Sequence, residues 1–222
     1  MKSMVKLLIF DLDGTLLNSL RDLAGSVNYA LRLHGFPEHP PLAYRHFVGN
    51  GIAVLLERVL PEGAKSAENV ALLWKDFMHH YGLHRADLTA PYAGIPELLE
   101  ALQQQGLLLA VASNKFHSAT EAMVRLYFGE STFQFVHGKQ EEVPAKPDPA
   151  VVQAILAEAG VTPEETLFIG DSDVDMLTAH NSGVPSVGVT WGFRSQEELQ
   201  KHGANYIVNT PAEILQIVHA RR

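Results

Sequence analysis

Asp11 and Asp13 stand two residues apart at the end of the apolar run Val5-Lys6-Leu7-Leu8-Ile9-Phe10, and Gly14-Thr15-Leu16 follow. The run reads as a buried strand. Carboxylates set against apolar neighbours are costly unless a cation or hydrogen-bond donors meet them. On a straight strand both would face one side. The plainer alternative is a strand ending in an Asp-Gly turn. Two other apolar runs end in polar clusters as well. Leu107 to Ala112 runs into Ser113-Asn114-Lys115, and Leu167-Phe168-Ile169 runs into Gly170-Asp171-Ser172-Asp173-Val174-Asp175. Lys146 lies in the rigid stretch Lys146-Pro147-Asp148-Pro149. Taken singly, these clusters read as a helix-start turn, a common loop string and a solvated lysine.

Taken together they gather at one place. In an open parallel sheet, ligands bind beyond the carboxyl ends of the strands. Three acids sharing a pocket repel each other unless a hard cation joins them, and Mg2+ prefers oxygen ligands. The chain has no cysteine, so thiolate metal sites, thiol catalysis and disulfides are excluded. Hydroxyl, amide and ammonium donors beside such a cluster suit a phosphoryl group. The chemistry implied is metal-assisted phosphoryl transfer.

The elements that must position these groups follow from periodicity. Leu20, Leu23, Ala24, Val27, Ala30 and Leu31 recur at helical spacing after Asn18-Ser19, and Gly35 closes the helix. Pro37, Pro40 and Pro41 mark a loop, and Gly49-Asn50-Gly51 a second break. Helices carrying Ile52 to Leu60 and Val70 to Tyr81 come next. Beyond Pro91 strands alternate with helices. A helix from Ile95 ends near Gly106, and one over Ser118–Tyr127 precedes a short strand at Phe133–Val136. A helix then follows Pro149. Thr162-Pro163-Glu164-Glu165 has the hydroxyl, proline and acid of a helix start. Strands at Ser186–Val189 and Tyr206–Val208 precede a last helix from Thr210. The pattern predicts an α/β fold, a doubly wound parallel sheet with helices on both faces. A helical insertion follows the first strand. The expected division is 1–17 and 88–222 for the α/β core, and 18–87 for the helical domain.

A hydrophobic share of 46%, a charged share of 19% and a formal charge of −8 describe an ordinary globular chain without the basic stripes of a nucleic-acid binder. The N-terminal apolar run is too short for a signal segment, and no stretch is long enough to span a bilayer. The expectation is a cytoplasmic protein with no membrane or nucleic-acid partner, a monomer or homodimer acting on a small molecule.

The four clusters resemble, in order, the motifs of haloacid dehalogenase superfamily phosphatases. Asp11-Leu12-Asp13-Gly14-Thr15-Leu16 matches the first, Ser113-Asn114 the second, Lys146-Pro147 the third, and Gly170-Asp171-Ser172 with Asp175 the fourth. Gly183-Val184-Pro185 and Trp191-Gly192 extend the likeness. The resemblance implies a Rossmann-like core, Mg2+ as cofactor and a phosphate ester as substrate. It makes Asp11 the nucleophile that forms an aspartyl-phosphate, and Asp13 the acid and then base. Thr15 would help hold the loop and Asp13 and counts among the substrate-binding residues. Ser113 and the main-chain amide of Asn114 would take phosphate oxygens, and Lys146 would offset negative charge. The metal would be held by Asp11, the main-chain carbonyl of Asp13 and Asp171, with Asp175 in support. The helical insertion would be a cap domain that closes over the site.

Phe47-Val48-Gly49-Asn50-Gly51 before a helix resembles the phosphoglycolate phosphatase branch, which makes Gly49, Asn50 and Gly51 candidate substrate contacts. A plain inter-helix loop is the other reading. His80 and His84, four apart, read as a solvated or packed helix face or as two metal ligands lacking a third. Asp13 argues against dehalogenation, which lacks the second acid. A sugar-phosphate phosphatase or a beta-phosphoglucomutase-like mutase remains open, with a phospho-receiver signalling domain as the non-enzymatic alternative.

Overall fold

A computed structural model describes residues 4–221. In chain order the elements are β1 (Leu7–Phe10), β2 (Leu17–Asn18), α1 (Leu20–Leu33), α2 (Tyr44–Phe47), α3 (Ile52–Val59) and α4 (Ala67–His84). Then come β3 (Ala90–Pro91), α5 (Ile95–Gln104), β4 (Leu108–Phe116), α6 (His117–Phe128), β5 (Phe135–Lys139) and α7 (Ala150–Ala159). The chain ends with β6 (Thr166–Gly170), α8 (Asp173–Ser182), β7 (Ser186–Val189), α9 (Gln196–Lys201), β8 (Tyr206–Val208) and α10 (Pro211–His219). Two compact units result, residues 1–17 with 91–222, and residues 18–90.

In the α/β unit six strands form one sheet in the order β5-β4-β1-β6-β7-β8. The neighbouring strands pair in parallel. Strand β1 is central, with Phe10 beside Val111 of β4 and Ile169 of β6. Its continuous apolar run is explained by cover on both faces. Leu8 and Phe10 join one core layer with α5, α6 and α10, while Leu7 and Ile9 join the other with α7 and α8. The chain goes from β1 outward through β4 and β5, then returns to β6 on the opposite side of β1. That reversal places a crevice at the carboxyl end of β1.

In the helical unit, α1 and α4 pack together. Leu23, Val27 and Leu31 are buried on α1, Leu55, Leu56 and Val59 on α3, and Leu73, Phe77 and Tyr81 on α4. Phe77 and Tyr81 stack at 5.1 Å. Tyr44 is fully buried and donates to Asn28 Oδ1 at 2.5 Å.

Several boundaries differ from the sequence reading. The units divide at 90/91 rather than 87/88, because Asp22 on α1 binds the amides of Leu88 and Thr89 and keeps them with the helices. Strand β4 runs on through Ser113-Asn114-Lys115, and β5 lies later than Phe133–Val136. The capping box at Thr162 and Glu165 starts only a 3-10 turn, since Thr166 already enters β6. Helices α2, α8 and α9 are additional. Their sequences lack a clean apolar stripe, and α8 buries Asp175 and Thr178 beside Val174 and Met176. No helix of the described residues is long and apolar enough to cross a membrane.

Candidate active site

Strand β1 ends at Phe10, and the next residues turn instead of continuing the strand. Gly14 adopts φ 95°, a conformation side chains avoid, and a Cβ there would lie 2.4 Å from Asp171 Oδ2. Glycine is therefore what lets the first loop lie against the acid that follows β6. Gly170 and Gly192 serve the same close packing, since a Cβ on either would strike Asp175 or Asp171.

Asp11, Asp171 and Asp175 each place a carboxylate oxygen within 4.8 Å of the others. Lys146 Nζ enters this group at 2.9 Å from Asp11 Oδ1 and 2.7 Å from Asp175 Oδ1, and also donates to the Ala112 carbonyl at 2.9 Å. Its ammonium lies 5.4 Å from the centre of the Phe168 ring. Asp175 Oδ2 accepts from Asp171 N, Ser172 N and Ser172 Oγ, closing the cap of α8. Asp171 accepts from the Thr15 hydroxyl at 3.2 Å and from Phe193 N at 2.7 Å. Trp191 Nε1 donates to the Thr15 carbonyl at 3.0 Å, tying the segment after β7 to the first loop.

Electrostatics follow from burial. Asp11 is pushed up to about 6, first by burial and next by Asp175, with Lys146 pulling it back. Burial also lifts Asp171 well above the usual carboxylate range, and Asp175 and Asp11 add to the effect. Burial would lower Lys146, but Asp11 and Asp175 outweigh it and hold the ammonium above its ordinary value. One lysine is thus shared by Asp11 and Asp175.

The second motif works from consecutive residues of β4. Asn114 accepts from Lys146 N at 2.8 Å and donates to the Lys146 carbonyl at 3.0 Å, so its side chain fixes the backbone that carries the lysine. Ser113 is buried beside it, its Oγ accepting from Lys115 N at 3.3 Å. The Asp13 carboxylate is outside the acid triad and is met by Lys115 Nζ at 2.9 Å.

The structure brings Asp11, Asp171, Asp175 and Lys146 together and places Asn114 behind them. One expectation needs correcting. Thr15 is fully buried with its hydroxyl donated to Asp171 at 3.2 Å, where the expectation had it hold Asp13. Lys115, to which the sequence reading gave no role, pairs with Asp13. The Phe193 amide was also missed, and a main-chain donor leaves no mark in side-chain patterns. In the helical unit, Gly49-Asn50-Gly51 joins α2 to α3, and Asn50 Oδ1 accepts from Arg58. His80 stacks between Tyr29 and His84, each 4.2 Å away, and pairs with the Ser26 hydroxyl, as a packed helix face does.

Residues 8–189 match the family model of the haloacid dehalogenase-like hydrolases. The chain is 34% identical to a phosphoglycolate phosphatase of Mannheimia succiniciproducens over 98% of its length and 100% of that protein's. It is 33% identical to a phosphoglycolate phosphatase of Pasteurella multocida, covering 96% and 98%. A solved structure of a predicted phosphoglycolate phosphatase from Haemophilus somnus superposes with TM-score 0.89 and 32% identity, over 96% of this chain and 97% of that one. A chain from Lactobacillus delbrueckii subsp. bulgaricus gives TM-score 0.92 at 32% identity, over 97% and 98%.

Proposed function

The chain belongs to the haloacid dehalogenase-like hydrolase family, and we propose that it hydrolyses a small phosphate monoester, 2-phosphoglycolate foremost, through a phosphate carried on Asp11. The observation behind this reading is the buried group of Asp11, Asp171 and Asp175 with Lys146 among them. The relatives' activity supplies the substrate class.

The donor set fits a hard divalent cation. It offers carboxylate oxygens and no sulfur, and burial has already raised two of the acids, a tension that a cation relieves. Asp11, the main-chain carbonyl of Asp13 and Asp171 would hold Mg2+, with Asp175 in support. Bound there, Mg2+ supplies the positive charge that lets an anionic phosphoryl group come up to a carboxylate.

The rest is done by the chain. An Asp11 oxygen attacks phosphorus as the bond to the ester oxygen breaks, and Asp13 gives its proton to the departing alcohol. Water then attacks the same phosphorus and passes a proton to Asp13, while the bond to Asp11 breaks and phosphate leaves. Ser113 and the Asn114 amide hold phosphoryl oxygens, and Lys146 offsets their charge. Thr15 acts at one remove, by fixing Asp171.

The test is phosphate release from 2-phosphoglycolate and from hexose phosphates, with Mg2+ and with a chelator. Release from phosphoglycolate should be the faster, stop with chelator and return with Mg2+. Undiminished turnover in metal-free buffer would remove the metal from the scheme, and faster hexose phosphate turnover would favour the sugar-phosphate alternative.

A further inference from the structure

The first motif's two carboxylates are each met by a lysine of their own. Lys146 reaches Asp11, and Lys115 reaches Asp13. The second pair is buried, with 4% of the Lys115 side chain and 13% of the Asp13 side chain exposed. The backbone beneath Lys115 is fixed from two directions. Its carbonyl accepts from the Thr120 hydroxyl at 3.2 Å, and its amide donates to Ser113 Oγ. Gly138 on β5 comes so close that a Cβ would lie 2.6 Å from the Lys115 carbonyl oxygen. A long, flexible side chain is thereby anchored at its base, and its tip meets the Asp13 carboxylate.

Such a pair is poor value as a stabilising device. Burying a lysine and an acid costs desolvation that their attraction repays only partly, and apolar side chains of like size often stabilise as well or better. What the pair does supply is direction. Asp13 lies beyond the end of β1, where its backbone bridges to Leu17, and its role requires a carboxylate oxygen within hydrogen-bond reach of the ester oxygen. A small misplacement of such a group costs rate far more than it costs fold.

We propose that Lys115 is the positioning residue for Asp13, holding the carboxylate in the orientation from which it moves the proton to the leaving alcohol and from the attacking water. The inference rests on the phosphatase reading above. Asn114 and Lys115, adjacent on β4, then divide the site between them. Asn114 sets Lys146 and through it Asp11, while Lys115 sets Asp13.

The experiment compares leaving groups. An alkyl phosphate such as 2-phosphoglycolate needs its alcohol protonated, whereas 4-nitrophenyl phosphate releases a stable phenolate unaided. Lys115→Met should lower kcat for the alkyl ester by about 100-fold, the lower end of what a positioned acid–base contributes. With 4-nitrophenyl phosphate it should keep the pre-steady-state burst of phenolate within a few-fold of wild type while slowing later turnovers, because the water step still needs Asp13. Asp13→Asn should give the same pattern, and the double variant should be no worse than Asp13→Asn alone. Lys115→Arg keeps the charge on a differently shaped group and should fall between wild type and Lys115→Met. If Lys115→Met does not fold, the ratio of the two esters in Lys115→Arg carries the test. Equal losses on both esters, or additive losses in the double variant, would overturn the inference and make Lys115 a phosphate-binding or structural lysine. If wild type hydrolyses neither ester with Mg2+, it is the phosphatase reading that fails.

Discussion

Each unit buries an acid, and the two acids are satisfied differently. Asp22 in the helical unit accepts from Leu88 N, Thr89 N and the Thr89 hydroxyl, the last at 2.7 Å. Its partners are neutral donors from the segment that returns after α4, so the carboxylate does the work of a knot in the chain. Asp171 in the α/β unit also takes an amide and a hydroxyl, but it faces Asp175 and Asp11 as well. Neutral donors cannot relieve that repulsion. Burial of an acid is therefore weak evidence of chemistry, whereas acids held together against their own charge are strong evidence, because structure alone gains nothing from it.

The contrast is broken most directly at Asp11. Asp11→Asn should cut phosphate release on the order of 10³-fold or more, the scale on which nucleophile removal acts. Its effect on the fold should run the other way. In the metal-free chain the folded Asp11 holds its proton up to about 6 while the unfolded one loses it near 3.8. The folded state thus binds more protons across that window, and this group's contribution to stability falls as pH rises through it. Asp11→Asn should flatten that part of a urea-melt profile taken between pH 4 and 7. An unaltered slope, or turnover well above a trace, would show that the cluster is not held against its charge.

Asp22→Ala should do the reverse. Leaving its buried donors unmet costs about 1–3 kcal/mol, so the midpoint of urea unfolding should drop. Turnover per folded molecule should stay near wild type. Lost activity with intact stability would erase the distinction drawn between the two acids.

The same contrast sets what was readable in the sequence. The sheet was legible because its central strands, covered on both faces, are unbroken apolar runs such as Leu7 to Phe10. The long helices α1 and α4 were legible from a 3.6-residue stripe. Helix α8 was not, since it spends buried positions on Asp175 and Thr178 to serve the site. The acids and Lys146 were visible as polar ends of apolar runs. The Lys115–Asp13 pair joins residues 102 apart, and nothing local marks such a partnership. Thr15 was visible as a residue but not as a partner of Asp171, for the same reason.

The smallest expected effect concerns selectivity, and it asks whether the helical unit does more than fold. Gly51 caps α3 at φ 85° and ψ 171°, a region that is essentially glycine's alone, and Gly49 has φ 126°. Arg58 donates to the Phe47 carbonyl at 3.0 Å and to Asn50 Oδ1 at 2.8 Å, bracing the turn from the far end of α3. Gly51→Ala would strain this turn while leaving every group of the acid cluster in place. If the turn reads the carboxylate of phosphoglycolate, kcat/KM for that ester should fall about tenfold, equivalent to 1.4 kcal/mol. Turnover of 4-nitrophenyl phosphate, which carries no carboxylate, should hardly change. Arg58→Met removes the brace without forcing a backbone angle, and should move the same ratio in the same direction by less. Equal losses on both esters would mean that the change acts through folding. An unmoved ratio in both variants would leave the turn as the simple connection between α2 and α3.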